Sequence, residues 1–206
     1  MGFFSVESPI YKFMTRLVDI IKLNFMWIIF SLPIVTIGAS TVAAYTVALK
    51  MVDDEEGYIV KPFIKAFKEN FRQGTILGLL TIAACYVVYL NFALFNGIES
   101  NPLPLLLVGL LACIYFLLSL LYAYPLMARY DNTLIRTLRN SFDISIRYIV
   151  RTIVLLLVLA LTVLIILYNY TTMFVGVLMG PAFIIFTIAA FAKRIFQKIE
   201  REQKEQ

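Results

Sequence analysis

Residues 73–128 read QGTILGLLTIAACYVVYLNFALFNGIESNPLPLLLVGLLACIYFLLSLLYAYPLMA and contain neither Lys nor Arg. A second such stretch, residues 152–192, reads TIVLLLVLALTVLIILYNYTTMFVGVLMGPAFIIFTIAAFA. The 18 Lys and Arg residues of the chain lie in four clusters outside these stretches, at positions 12–22, 50–72, 129–151 and 193–204. Because Lys and Arg beside membrane spans stay on the cytoplasmic side, each cation-free stretch predicts an even number of crossings, with its turn outside.

The composition of the chain indicates a single membrane domain over residues 1–206. Its hydrophobic content is 61% and its mean hydropathy is +0.87, whereas soluble domains are roughly 45–50% apolar. Lipid must therefore be the main solvent of these side chains. The net charge of +5 is carried by cations beside the spans. This placement favours contact with anionic lipid headgroups over nucleic acid.

The sequence predicts an all-α, polytopic transmembrane helical bundle in which four spans can be located directly. Each apolar stretch holds a pair of spans about as long as the hydrocarbon core requires. Turn-forming residues separate the two spans of each pair, at Asn96–Pro102 and Asn169–Thr172. The predicted spans are Gly74–Phe95, Leu103–Ala128, Thr152–Tyr168 and Met173–Ala192.

The segment Phe25–Leu49 is about one span long but has cation clusters at both ends. Pro and Gly interrupt it within residues 31–41, SLPIVTIGAST. We favour a re-entrant element or short hairpin, in which an amphipathic helix over Tyr11–Leu32 leads inward and Gly38–Val52 returns. The alternative is a kinked single crossing, which would give five spans in all.

The two middle cation clusters carry matching amphipathic helices. Residues 63–71, FIKAFKENF, align without gaps with residues 134–142, LIRTLRNSF. Each has an apolar ridge beside a cationic ridge, which is typical of a helix at the cytoplasmic membrane interface. The match favours a parallel internal repeat, about 36–95 and 103–170, or else convergence on a generic interfacial helix. The candidate docking or lipid headgroup contacts are Phe63, Lys65, Phe67, Lys68, Phe71, Arg72, Leu134, Arg136, Leu138, Arg139 and Phe142.

Catalytic and cofactor signatures are missing from the sequence. The chain has no His, and the four predicted spans contain no Asp, Glu, Lys or Arg. A buried carboxylate usually carries the proton in coupled transport, so a proton-driven carrier is disfavoured. No nucleophile–base pair or phosphate-binding Gly loop is visible. We therefore expect no enzymatic activity, cofactor or metal.

The best candidate for a solute site is the pair of breaks in the apolar helices. Interrupted helices can present hydroxyls and backbone dipoles to a substrate without using charged residues. The alternative is that the small residues permit close helix packing and that Pro merely kinks the chain. The residues concerned are Ser31, Pro33, Thr36, Gly38, Ser40, Thr41, Gly180 and Pro181.

The segments Asn24–Tyr58, NFMWIIFSLPIVTIGASTVAAYTVALKMVDDEEGY, and 63–77, FIKAFKENFRQGTIL, resemble the YesL family of bacterial integral membrane proteins. The specific matches include Trp27, the FSLP run at Phe30–Pro33 and the TIGAST run at Thr36–Thr41. The remaining spans match in hydropathy and placement. The resemblance implies a small plasma-membrane protein, often encoded near carbohydrate-uptake systems and their sensors. It implies no catalytic or binding residues.

Two functions fit these features. The first is a non-enzymatic accessory or regulatory protein that docks on a membrane transporter or sensor of carbohydrate uptake through its interfacial helices. The second is a small carrier or channel for a neutral solute, with its site at the broken helices. In both, we expect a multi-pass protein of the bacterial plasma membrane with both termini cytoplasmic.

Overall fold

The computed structural model describes residues 9–53, 59–98 and 103–204, and every regular element in these ranges is helical. A short 3₁₀ turn, Ile34–Thr36, separates the first two α-helices. The all-α prediction is confirmed for the described part of the chain. The α-helices are α1 (Pro9–Ser31), α2 (Ile37–Val52), α3 (Val60–Glu69), α4 (Phe71–Gly97), α5 (Leu103–Leu121), α6 (Ala123–Arg129), α7 (Leu134–Arg147), α8 (Ile149–Leu167) and α9 (Tyr170–Lys204).

Helices long and apolar enough to cross a membrane occur at the four predicted spans and at one further place. The fifth is the segment of the 3₁₀ turn and α2. A helical membrane bundle is therefore confirmed, and the chain is an integral membrane protein. Part of the first predicted outer turn, residues 99–102, lies outside the described residues. The five segments are Ile34–Val52, Phe71–Gly97, Leu103–Arg129, Ile149–Leu167 and Tyr170–Lys204.

The chain reverses direction between α1 and α2. Trp27 Nε1 donates to Thr41 Oγ1 at 3.0 Å, and Thr36 Oγ1 donates to Phe30 O at 2.7 Å. The contact of Phe30 with Thr36 thus lies closer to the turn than the contact of Trp27 with Thr41, and this nested order is the pattern of an antiparallel hairpin. The reversal follows Pro33, whose extended backbone (φ −74°, ψ 115°) ends the helical path. The hairpin alternative therefore agrees with this reversal, whereas the number of membrane crossings in the segment stays a prediction.

α2 is the internal helix of the bundle. In its span segment 67% of the residues are buried, against 11–33% in the other four segments. It contacts α1, α3, α4, α6 and α9. Small side chains let these neighbours approach from all sides. Four alanines of α2 have no exposed surface: Ala39, Ala43, Ala44 and Ala48.

Three glycines bring α2 and α4 into backbone contact. A Cβ atom added to Gly38 would lie 2.6 Å from Gly78 Cα, and one added to Gly78 would lie 2.7 Å from Gly38 Cα. A Cβ on Gly74 would lie 2.7 Å from Ala39 Cα. No side chain fits at these distances. Gly38 therefore serves helix packing, which was the alternative to a ligand-binding role.

The two amphipathic helices are confirmed, but each runs on into a span instead of forming a separate surface segment. α3 meets α4 at Asn70, whose carbonyl accepts from Gly74 N at 2.8 Å. α7 meets α8 at Tyr148, whose carbonyl accepts from Thr152 N at 3.0 Å. Because helical hydrogen bonds continue through each junction, the amphipathic helices are rigid extensions of spans at a kink.

The aligned segments of α3 and α7 have similar burial. Ala66 and its counterpart Thr137 are both buried. The helices differ in extent, since α3 ends at Glu69 whereas α7 continues to Arg147. The common inward face agrees with the alignment, and the internal repeat remains a prediction. The aligned cations are all exposed: Lys65, Lys68, Arg136 and Arg139.

We predict that Gly38→Ala destabilises the protein and that Gly97→Ala does not. The new methyl group at position 38 would push α2 from α4 at a cost of about 1–3 kcal/mol. A methyl group at position 97 would meet no atom of the described residues within 4 Å. Both changes raise helix propensity. Chemical denaturation in detergent micelles, followed by the fluorescence of the single Trp, measures the effect. Equal stability of the two variants would contradict the close crossing.

Candidate functional site

The hydroxyl groups of the first predicted break are mostly bonded within the α1–α2 hairpin. Thr36 Oγ1 donates towards Phe30 O and Pro33 O, each at 2.7 Å. Ser40 Oγ donates to Trp27 O at 3.0 Å. These bonds cap the end of α1 and fix the turn. The hydroxyls therefore act as structural groups in this conformation.

The remaining hydroxyl groups of this segment belong to Thr41 and Ser31. Thr41 Oγ1 donates to Ile37 O at 2.7 Å and accepts the indole N–H of Trp27 at 3.0 Å. Ser31 Oγ is buried and makes no hydrogen bond within the described part of the chain. Pro33 is exposed. The predicted residues between Ser31 and Thr41 therefore lie together in the turn and the helix ends beside it, but most of their polar atoms are already satisfied by the protein.

The second predicted break, at Gly180 and Pro181, is wrong, because α9 continues as one helix through both residues. Asn24, which lies outside both predicted breaks, contacts the α9 backbone at this proline. Asn24 Nδ2 donates to Val177 O at 3.0 Å and to Leu178 O at 2.9 Å. In return, Ala182 N donates to Asn24 Oδ1 at 3.2 Å. Asn24 is 1% exposed. Its amide is thus inserted into the backbone of α9 beside Pro181.

The chemistry of proline explains this contact. In an α-helix, residue 181 would donate its N–H to the carbonyl of Val177, but Pro181 has no N–H. In lipid, no water is present to satisfy the freed carbonyl. One side-chain amide carries both a donor and an acceptor and can serve backbone groups on either side of the proline. Asn24 therefore completes α9 and joins it to α1.

Gly180 lies beside a mainly apolar cavity between α8 and α9. The cavity has a volume of about 450 Å³ and is lined by residues including Ile166, Met179 and Phe183. Gly176 and Gly180 both approach Ile166, so their lack of a side chain brings α8 close to α9. Such a lining suits hydrocarbon better than a polar solute.

A buried cation holds the cation-rich C-terminal part of α9 against α2. Lys193 is 3% exposed, and its Nζ donates to Leu49 O at 3.1 Å and forms an ion pair with Asp53. Leu49 O is one of the last carbonyls of α2, which have no partner within the helix. Lys193 is thus a C-terminal cap of α2, supplied by another helix. The sequence marked it only as a member of the last cation cluster.

The apolar ridge of α3 is used inside the molecule. Phe63 is fully buried, and its ring lies 5.3 Å from that of Phe30, between centroids. Phe67 lies 4.8 Å from the same Phe30 ring. Phe71, at the start of α4, remains exposed and contacts Phe67. Most of this predicted docking ridge therefore fixes α3 to α1.

α7 is also held by its inner face, but through small hydroxyl residues. Ser145 Oγ donates to Leu118 O at 2.8 Å, and Ser141 Oγ accepts from Tyr122 N at 3.2 Å. Both serines are completely buried. The predicted ridge lies beside this face and is half-buried, at Leu134, Leu138 and Phe142. The exposed surface of each amphipathic helix includes a cationic row. One row is Lys65 and Lys68 of α3, continued by Arg72 at the start of α4, and the other is Arg136 and Arg139 of α7.

A polar cavity of about 360 Å³ lies between α7 and the end of α9. At its edge, Arg129 holds Glu200 through two N–H···O bonds of 3.1 and 3.0 Å, and Tyr130 donates to the same carboxylate at 2.5 Å. Burial, reinforced by the hydrogen bond to Glu200, raises the pKa of Tyr130 to about 12. Tyr130 thus remains a neutral donor at physiological pH. No sequence pattern indicates this cavity, because its residues come from separated segments.

Metal-binding geometry is not formed by the described residues. In residues 9–53, 59–98 and 103–204, no three His, Cys, Asp or Glu side chains lie close enough together to hold an ion. The acidic residues 54–56 lie outside these ranges.

Comparison with known proteins gives a family match over part of the chain. Residues 20–92 match the family described as "Protein of unknown function, DUF624". This segment contains the second half of α1, all of α2 and α3, and most of α4, and so includes Asn24 and the Gly38–Gly74–Gly78 contact. No curated protein and no solved structure matched the chain.

We predict that Asn24→Leu lowers the free energy of unfolding by about 2–4 kcal/mol, because it leaves backbone groups of α9 without partners in an apolar environment. Asn91→Leu is the matched control. Asn91 also lies in a span helix, but its Oδ1 has no hydrogen-bond partner within the described residues, so the change should stay within about 1 kcal/mol. Denaturation in micelles measures both. A cost at Asn24 no larger than that at Asn91 would contradict the bridging role.

Proposed function

We propose that the protein is a non-enzymatic accessory subunit of the bacterial plasma membrane, which docks on a carbohydrate transporter or its sensor. The observation that carries the proposal is the pair of exposed cationic rows on α3 and α7. Both rows belong to helices whose opposite faces are anchored in the bundle. A row of charges on an anchored helix suits recognition of an acidic protein surface. Because the helix already has a fixed position, little conformational entropy is lost when the partner binds.

The anchoring of the rows differs in chemistry but has the same result. On α3, Phe63 and Phe67 pack on Phe30. On α7, Ser141 and Ser145 are bonded to the end of α5 and the residue that follows it. Each row therefore has a fixed position at a kink between an amphipathic helix and a span. A partner protein could contact both rows together with the adjoining lipid-facing helix surfaces.

The membrane orientation in this proposal follows from the charges. α1 is antiparallel to α2, and the C-terminal end of α2 is joined to Lys193 near the cation-rich end of α9. The cations of α1, α2 and α9 therefore belong to one end of the bundle. Under the positive-inside rule this end is cytoplasmic, which puts both termini in the cytoplasm. The YesL-like residues within 24–77 support a carbohydrate-uptake setting.

The carrier alternative has less support. It requires open hydroxyls at the first break, whereas Thr36, Ser40 and Thr41 are bonded to backbone or to Trp27. It also requires a polar path at Gly180, where the adjacent cavity is lined mainly by apolar groups. The accessory function needs neither feature.

Charge reversal on the two rows tests the proposal. We expect a carbohydrate permease or sensor kinase to co-purify with the wild-type protein from gently solubilised native membranes. We predict that the amount of this partner recovered with the Lys68→Glu, Arg139→Glu double variant is lower by about fivefold or more. The matched control is Arg201→Glu with Lys204→Glu, which makes the same change in net charge on α9. Quantitative mass spectrometry of the purified complexes gives the readout.

The control should retain the partner at the wild-type level, and both variants should elute as monodisperse protein. Equal recovery of the permease or kinase with the row variant would contradict docking through these rows. Equal loss with both variants would show a general effect of charge and would also contradict it.

A further inference from the structure

Three cations converge on one aromatic ring at the kink between α7 and α8. The ring belongs to Tyr148, the residue that joins these helices. Arg147 Cζ and Arg151 Cζ each lie 5.8 Å from the ring centroid, and Lys198 Nζ of α9 lies 5.6 Å from it. The electron-rich ring face attracts each cation and so offsets part of their mutual repulsion.

The carboxylates of the structure only partly balance these charges. Glu202 lies 2.8 Å from Arg147 and 3.8 Å from Lys198, so one carboxylate serves two cations. Arg151 is exposed and has no ion-pair partner within the described part of the chain. Asp143, one turn before Arg147, lines the adjacent polar cavity. The cluster therefore retains excess positive charge at Arg151.

The position of the cluster suits a lipid phosphate. α8 begins at Ile149 and is the most apolar of the five span segments. Arg147 and Arg151 lie on either side of this start, and Lys198 faces them from α9. Phospholipid phosphates lie at this boundary between hydrocarbon and water, and basic sites between spans select anionic lipids there.

The Tyr148 hydroxyl is a second, independent observation. It is buried and has no hydrogen-bond partner among the described residues. A buried polar group without a partner is uncommon in native proteins, and an ordered ion or ligand oxygen can supply the missing partner.

We propose that Arg147, Arg151 and Lys198, arranged around Tyr148, bind a phosphate group, and that the occupant is the headgroup of an anionic phospholipid. Charge-assisted N–H···O bonds from two guanidinium groups and one ammonium group match the oxygens of a phosphodiester. The site is separate from the cationic rows proposed for docking. It would hold α7, α8 and α9 together at the membrane surface.

Lipid titration of the purified full-length protein in a neutral detergent tests this site. Phosphatidylglycerol is the anionic probe, phosphatidylcholine is the zwitterionic comparison, and native mass spectrometry counts the bound lipid. We expect the Arg151→Gln, Lys198→Gln variant to bind phosphatidylglycerol about tenfold more weakly than wild type. Arg201→Gln with Lys204→Gln removes equal charge outside the cluster and should bind like wild type.

If the double variant does not fold, the single variant Arg151→Gln is titrated instead. Arg151 is exposed, so its replacement should not affect stability. Equal binding of the two lipids, or equal losses in cluster and control variants, would overturn the proposal. A parallel titration with inorganic phosphate distinguishes a lipid headgroup from free phosphate as the occupant. Cluster-dependent binding of phosphate alone, without preference between the lipids, would support a phosphate site and overturn the lipid as its occupant.

Discussion

The hydrogen bonds of Asn24 to α9 are the interaction on which the arrangement of this bundle depends. α9 contains a proline where no water can satisfy the freed backbone carbonyl, so the missing partner must come from the protein. Asn24 supplies it from α1 through bonds to Val177, Leu178 and Ala182. Because α1 and α2 form a tight hairpin, the position of α1 against α9 also places α2 in the bundle. The hydrogen bonds that compensate for Pro181 thus connect the N-terminal and C-terminal helices of the chain.

The internal position of α2 makes the other contacts possible. Its fully buried alanines and Gly38 provide a surface on which five other helices lie close. Van der Waals packing of small residues drives such association in lipid, where the hydrophobic effect between helices is weak. At the end of α2, Lys193 satisfies a terminal carbonyl and pairs with Asp53. α9 is therefore fixed to the α1–α2 hairpin at two separate levels, by an amide and by an ammonium group.

The sequence predicted the spans well because hydropathy and the placement of Lys and Arg depend only on local composition. It also predicted the reversal near Pro33, since a single crossing would place cations on the wrong side. It could not reveal Asn24, because an isolated Asn in an apolar helix has no local pattern and its partners lie 153 to 158 residues further along the chain. Nor could it show which side of α3 and α7 faces inward. The same amphipathic pattern fits a helix that packs on protein through Phe63 or on lipid. The polar cavity near Tyr130 was likewise invisible, because it forms only when α7 and α9 meet.

The role of Asn24 is tested most directly by a double-mutant cycle between Asn24→Leu and Pro181→Ala. The alanine introduced by Pro181→Ala restores an N–H that can bond to Val177 O, so α9 no longer needs the amide of Asn24. We predict that Asn24→Leu destabilises the Pro181→Ala protein less than the wild type, with a coupling free energy of about 1–2 kcal/mol. An equal cost of Asn24→Leu in the two backgrounds would contradict the claim that Asn24 completes the backbone at the proline.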